Sequence, residues 1–233
     1  MPVFLLPTEI VFPPPQLSTK EGLLAIGGDL NPDRLIEAYR RGIFPWYSED
    51  DPILWWSPDP RLILSPNELK ISRSLAKELR RRRFHITIDT CFDSVIAACA
   101  QIRRNNSEGT WINPDMEEAY IRLHQRGYAH SIEVWFNDNL VGGLYGVSLG
   151  GCFFGESMFS TISNASKTAL VYLCRFMRAH DFELIDCQIQ TPHLKSLGAR
   201  AIPRENFLSA LKMALRKPSL QGRWSLPTGL SSS

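Results

Sequence analysis

The chain has 233 residues, enough for one sizeable core or for a small domain packed on a larger one. Its 44% hydrophobic and 21% charged residues are ordinary for a globular protein, and no long low-complexity tract is present. A net charge of +2 is too small to argue for a nucleic-acid partner, so the local distribution of charge must decide that question.

The opening MPVFLLPTEIVFPPP has no basic stretch, and proline interrupts its apolar run, so no signal peptide is expected. No segment reaches the roughly eighteen uninterrupted apolar residues of a membrane helix. The expected location is the cytoplasm, with no membrane partner. Cys91, Cys99, Cys152, Cys174 and Cys187 are odd in number, lie among apolar neighbours and lack metal-ligand spacing. Reduced, buried thiols are expected, with no disulfide and no metal.

Residues 1–62 are rich in proline and carry Trp46, Trp55 and Trp56 beside Tyr47. One helix is predicted there. Asn31 is its N-cap, Pro32 its first residue, Leu35, Ile36 and Tyr39 its apolar stripe, and Gly42 its left-handed stop. Ser57-Pro58-Asp59-Pro60 then reads as a stiff linker.

Beyond it the elements become regular. A short strand is predicted at 62–64, a helix at 71–83, a strand at 84–88, and a helix opened by Thr90 with Phe92, Val95, Ile96 and Cys99 inward. Asn113-Pro114 opens another helix, which Gly127 closes. Three strands follow at 131–136, 140–149 and 152–159, joined by Asn137-Asp138-Asn139 and Gly150-Gly151. A helix over 165–179, capped by Ser163 or Asn164, leads to an apolar strand at 182–188. A short helix at 194–197, a short strand at 201–203 and a helix at 207–215 complete the pattern.

This order predicts an α+β fold: a small N-terminal domain over 1–62, an N-acetyltransferase-like (GNAT-like) domain over 63–225 and a tail over 226–233. In that layout a Gly-rich turn before the helix approaches the pyrophosphate of coenzyme A. The corresponding stretch 160–165 has no glycine, which disfavours the coenzyme.

The helix at 71–83 places Arg73, Lys77, Arg80 and Arg81 on one face, with Ile71, Leu75 and Leu79 opposite. Six cations against Glu78 alone favour contact with a phosphate backbone over a merely solvated face. Glu156 interrupts the apolar stretch GESMF, and Asp186 and Gln188 share one face of the strand LIDCQ. Two acidic interruptions in neighbouring strands fit either a cationic ligand or carboxylates satisfied by backbone donors or an arginine. Gly142, Gly143 and Gly146 read as bulges or close backbone approaches, and His124, His130 and His193 as structural residues or as supports behind the residues of a site. There is no G-x-S-x-G elbow, zinc pair or dinucleotide fingerprint.

GLLAIGGDL at 22–30, AYRRGIFPWYS at 38–48, PILWWSPDPR at 52–61, EGTWI at 108–112 and GYAHSIEVW at 127–135 form a recognisable series. LVGGLYGVSLG at 140–150, FFGESMFS at 153–160, ASKTAL at 165–170, and LIDCQ with HLKSLGA at 184–199 continue it. Over roughly residues 20–210 the chain resembles the bacterial leucyl/phenylalanyl-tRNA–protein transferase family. The resemblance implies transfer of leucine or phenylalanine from leucyl-tRNA or phenylalanyl-tRNA to the α-amino group of proteins that begin with Arg or Lys, marking them for degradation. It implies no coenzyme A, metal or other cofactor.

Carried over by position, Asp186 and Gln188 are the implied catalytic pair, with Glu156 beside them. Trp46, Trp111, Tyr120, Phe153, Leu170 and Ile185 are implied contributors to an aminoacyl pocket. Leu144, Leu173 and Met177 stand where the family carries aromatic residues or methionine, so the pocket stays apolar and the Leu-to-Phe preference shifts. The helix with Arg73, Lys77, Arg80 and Arg81 matches the tRNA-binding surface. An ordinary acetyltransferase and a non-enzymatic adaptor for basic N-termini and RNA are the competing readings.

Overall fold

The computed structural model describes residues 3–105 and 112–227. The N-terminal segment holds β1 (Phe4–Leu6), β2 (Leu23–Gly27), α1 (Pro32–Arg40), β3 (Phe44–Pro45) and β4 (Leu54–Trp56). The strands form a four-stranded sheet in the order β1-β2-β4-β3. Sequence patterning predicts only α1 here, because strands of two to five residues are too short to show alternation. α1 itself forms as expected. The Asn31 side chain accepts from Asp33 N at 3.0 Å, Pro32 takes the first turn, and Leu35, Ile36 and Tyr39 are buried. Gly42 ends it at φ +72°, and a Cβ there would lie 2.7 Å from Leu208 Cδ2 and 2.8 Å from Phe207 Cε1, so only glycine fits.

The rest of the chain runs β5 (Arg61–Leu64), α2 (Arg73–Arg81), β6 (His85–Ile88), α3 (Phe92–Asn105), α4 (Pro114–Gln125), β7 (Ala129–Phe136), β8 (Asn139–Leu149), β9 (Cys152–Ser160), α5 (Ala165–Ala179), β10 (Leu184–Gln188), α6 (Pro192–Ser196), β11 (Arg200–Ile202) and α7 (Arg204–Ala214). These strands form a seven-stranded sheet in the order β11-β5-β10-β9-β8-β7-β6. Within it β9 and β10 pair in parallel, and the other neighbours pair antiparallel. The class is mixed α and β. Among the described residues no helix is long and apolar enough to cross a membrane.

Alternation along the strands sends side chains into two cores, one on each face. Tyr145, Val147, Phe154 and Leu184 join α3, α4 and α7 on one face. Tyr39, Phe44 and Trp55 of the N-terminal segment belong to that same cluster, so the N-terminal segment and the larger sheet share one core. Leu144, Phe153 and Ile185 join α5 on the other face, with Trp224 closing that core from the C-terminal stretch.

Local details differ from the sequence reading at the helix ends. α2 begins at Arg73 after the Ser72 cap, which leaves Ile71 outside the helix and exposed. Asn164 precedes α5 at φ +69° without a side-chain cap. The Thr90 hydroxyl is turned to Glu133 Oε2 at 2.9 Å. The close-approach reading of the glycines holds: a Cβ on Gly142 would lie 2.5 Å from Ala165 Cβ, and one on Gly146 would lie 2.1 Å from the Phe154 carbonyl oxygen. All five cysteines are free thiols. His130 is buried against Asp89 at 2.8 Å and stacks on Trp224, and His124 stacks on Phe92, both as structural residues. The tail expected at 226–233 falls largely outside the described residues.

Candidate active site

β9 and β10 run side by side only as far as Phe154↔Asp186, although both strands continue. Each strand carries an irregularity where the pairing ends. On β9, Tyr145 pairs with Ser157 and Gly146 with Gly155, so Glu156 is an extra, bulged residue. On β10 the register to β5 shifts between Asp186 and Gln188, and Gln188 takes φ +53°. These two features bring Glu156, Asp186 and Gln188 together where the parallel pairing of the two strands ends.

Asp186 is fully buried. Arg61 at the head of β5 meets it with Nε to Oδ1 at 2.8 Å and Nη2 to Oδ2 at 2.7 Å. The Gln188 backbone N–H adds a third bond to Oδ1 at 3.0 Å. Arg61 in turn lies over the rings of Phe44 and Phe207. Both carboxylate oxygens are therefore occupied by internal donors. The arrangement fits a carboxylate that shapes the β10 bulge and aims Gln188, rather than one that accepts a proton from a bound molecule.

Glu156 has different surroundings. Tyr39 from α1 donates to its Oε1 at 2.8 Å, and Tyr120 from α4 donates to its Oε2 at 2.9 Å. Gln188 Nε2 donates to Oε1 at 3.2 Å, and the two tyrosine hydroxyls also bond each other. Among the described residues its hydrogen-bond partners are all neutral. Burial raises its carboxyl from the ordinary 4.5 to about 7; Asp186 adds to the rise, while the two hydroxyls and Arg61 oppose it. Tyr39 and Tyr120 are held well above 10, first by burial and then by Glu156, so they remain neutral donors.

The residues implied as an aminoacyl pocket divide into groups. Leu144, Phe153, Leu170, Leu173, Met177 and Ile185 meet in one buried cluster between the sheet and α5. Tyr120 lies on the opposite face, with Glu156. Trp46 directly follows β3 of the N-terminal sheet, 39% exposed and edge-on to Trp56 at 5.6 Å. Trp111 falls outside the described residues. The sheet itself lies between the two tyrosines and the apolar cluster.

Arg73, Lys77, Arg80 and Arg81 are exposed on α2 and form no salt bridge among the described residues, whereas Glu78 is turned inward to Arg83. Leu75 is buried beneath them. The helix thus presents uncompensated positive charge to solvent.

Two members of the site were not singled out from sequence. Tyr39 looked like one more apolar-stripe residue of α1, and Arg61 was only the last residue of WWSPDPR. Arg61 did leave a signal, being a cation at the start of the apolar strand RLIL, where a buried partner is required.

The family model described as leucyl/phenylalanyl-tRNA protein transferase matches residues 63–212, and that of the family's N-terminal domain matches residues 28–59. The chain belongs to the leucyl/phenylalanyl-tRNA–protein transferase family. It is an aminoacyltransferase. A leucyl/phenylalanyl-tRNA–protein transferase of Desulfatibacillum aliphaticivorans is 60% identical over 226 residues, 97% of each chain. One of Syntrophus aciditrophicus is 58% identical over 225 residues, 97% of this chain and 94% of the relative. Among solved structures, L-PGS from Bacillus licheniformis is 10% identical with a TM-score of 0.40, covering 90% of this chain and 69% of that one, a likeness too low to bear on function.

Proposed function

We propose that the protein transfers leucine or phenylalanine from leucyl-tRNA or phenylalanyl-tRNA to the α-amino group of cytoplasmic proteins that begin with Arg or Lys, which marks them for degradation. The observation that carries this reading is Glu156, a carboxyl group ringed by neutral donors where β9 and β10 part, in a chain of this family. A guanidinium or ammonium reaching Glu156 would supply the missing positive charge.

In the transfer, the α-amine nitrogen bonds to the ester carbonyl carbon, the bond from that carbon to the ribose oxygen breaks, and the proton from nitrogen ends on the ribose oxygen. An aminoacyl ester is already activated. An α-amine with a pKa of roughly 7.7–8.0 is partly neutral near pH 7. The chemical task is then mainly alignment, worth up to about 7–11 kcal/mol. Gln188 would hold the amine, Asp186 would fix Gln188 through its backbone N–H, and Glu156 would take the acceptor's cationic side chain.

The cluster of Leu144, Phe153, Leu170, Leu173, Met177 and Ile185 would receive the leucyl or phenylalanyl side chain from the α5 side of the sheet, and Trp46, Trp111 and Tyr120 are proposed as further contributors to aminoacyl binding. Arg73, Lys77, Arg80 and Arg81 would hold the tRNA backbone. The parallel pair β9–β10 that parts, with α5 as the crossover between its strands, supports a GNAT-like domain over 63–225 beside a small N-terminal domain over 1–62. The glycine-free 160–165 turn supports a donor other than coenzyme A.

The test is transfer of labelled leucine from leucyl-tRNA to a protein beginning with Arg, against a control beginning with Gly. Label on the Arg protein alone supports donor, reaction and acceptor rule together. Binding of both partners without transfer would overturn the reaction and favour an adaptor.

A further inference from the structure

Tyr39 belongs to α1, on the N-terminal segment, yet its hydroxyl reaches the larger sheet and bonds Glu156 Oε1 at 2.8 Å. It also bonds the Tyr120 hydroxyl, which reaches Glu156 Oε2 at 2.9 Å. Three groups thus share three contacts in a closed ring. Each hydroxyl has one proton to donate. When Glu156 is ionised, both hydroxyl protons are taken by its oxygens and the contact between the tyrosines has none. When Glu156 is protonated, three protons serve three contacts. All three contacts are served only when Glu156 is protonated, but the two hydroxyls donating to its oxygens are what lower the cost of the anion in this partly buried setting.

The groups that face Glu156 come from several packed elements: Tyr39 on α1, Tyr120 on α4, Arg61 on β5, and Asp186 and Gln188 on β10, with Tyr145 on β8 behind Tyr120. Among the described residues Arg61 is the one cation acting on Glu156, and Asp186 already holds it in a two-pronged pair. Among the described residues no net positive charge remains to hold Glu156 ionised, which leaves the hydroxyls as its chief support.

We propose that Tyr39 is a positioning residue for acceptor recognition: through its hydroxyl the N-terminal segment keeps Glu156 in the anionic state that binds the acceptor's cationic first residue. This rests on the acceptor reading of Glu156 given above. It makes the N-terminal segment part of the specificity apparatus rather than only a wall of the shared core.

The test variant is Tyr39→Phe. Its ring keeps the packing on Phe154, at 4.9 Å between centroids, and loses only the hydroxyl. Loss of a donor to the carboxylate makes the anion harder to form. A one-unit rise in the Glu156 midpoint means about tenfold less anion at pH values below it and no difference well above it. The quantity to measure is the ratio of wild-type to Tyr39→Phe kcat/KM for an Arg-starting acceptor, from about pH 6 to about pH 9. Titration of the acceptor's own α-amine cancels in that ratio.

The expected result is a defect of about tenfold near pH 6 that fades by pH 9 and resides in KM. In a Glu156→Gln background the same substitution should give a ratio that does not change with pH. A flat ratio in the wild-type background overturns the proposal and makes Tyr39 purely structural, while leaving the acceptor reading intact if Glu156→Gln itself raises KM. Normal KM in Glu156→Gln overturns the acceptor reading and this proposal with it. Should Tyr39→Phe fail to fold, Tyr120→Phe removes the matching hydroxyl from α4 and is read in the same way.

Discussion

Arg61 and Asp186, 125 residues apart in sequence, form a two-pronged ion pair in which both side chains are fully buried. It joins the linker that follows the N-terminal segment to the strand that ends at Gln188, and it occupies both oxygens of the carboxylate implied as catalytic. Removing one partner of such a pair strands the other in a low-dielectric interior. Arg61→Met is therefore expected to cost about 3–5 kcal/mol of stability. Urea unfolding of purified variant and wild type checks the size.

Asp186→Asn separates anchoring from base catalysis. As an anchor, Asp186 fixes Gln188 through the bond from its backbone N–H. The variant should then lose turnover while the pH dependence of kcat/KM keeps its shape. If a limb of that profile disappears, Asp186 exchanges protons with the substrate and the anchoring role is wrong.

Glu156 gives a stability prediction with a definite sign. Its carboxyl is raised from 4.5 to about 7, so the folded state holds this proton more tightly than the unfolded state. The resulting stability is fully present below about pH 4.5 and is lost as pH rises through about 7. Glu156→Gln does not suffer that loss. At pH 8.5 the variant should be more stable than wild type by on the order of 1 kcal/mol, a modest figure because the side chain is partly exposed. Relative to wild type its Tm should therefore rise between pH 5 and pH 8.5, by about 2–4 °C, and calorimetry at the two pH values measures it. The same variant should lose acceptor affinity, which is the usual exchange of stability for function.

The cations of α2 are open to solvent, so replacing them should leave the fold nearly untouched, within about 0.5 kcal/mol. A combined Lys77→Ala, Arg80→Ala and Arg81→Ala variant should bind aminoacyl-tRNA more weakly. The slope of log affinity against log salt should fall by about 0.7–0.9 for each lost phosphate contact. Binding measured over a salt series distinguishes this from a plain loss of fold, which would leave no slope to measure.

Leu173 lies in the buried cluster beneath α5, with Leu144 and Phe153. Leu173→Ala should cost about 2–5 kcal/mol of stability through the cavity it leaves. It should also move donor preference toward phenylalanine, because an apolar pocket discriminates by fit and a missing methylene is worth only about 1–3 kcal/mol. Competition between leucyl-tRNA and phenylalanyl-tRNA gives the ratio directly.

Much of this was legible in the sequence because it depends on local chemistry. Asn31-Pro32 and Asn113-Pro114 start helices wherever they occur before an apolar stripe, since cap and fixed φ act within one turn. The helix cations, the carboxylates in apolar strands and the glycine-free 160–165 turn were likewise visible as departures from what their surroundings required.

The tertiary structure decided what those residues face. Period-two alternation put Asp186 and Gln188 on one side, but no alternation foretells the bulge between them or the left-handed φ of Gln188, which follow from pairing with β5 and the end of pairing with β9. It also separated two carboxylates that look alike in sequence. Asp186 met a cation and became internal structure, whereas Glu156 met two tyrosines and a glutamine and kept its charge unbalanced. Those partners lie between 32 and 125 residues away along the chain. A carboxylate's behaviour is set by the charge and burial around it, and only the folded chain brings those distant groups within hydrogen-bond reach.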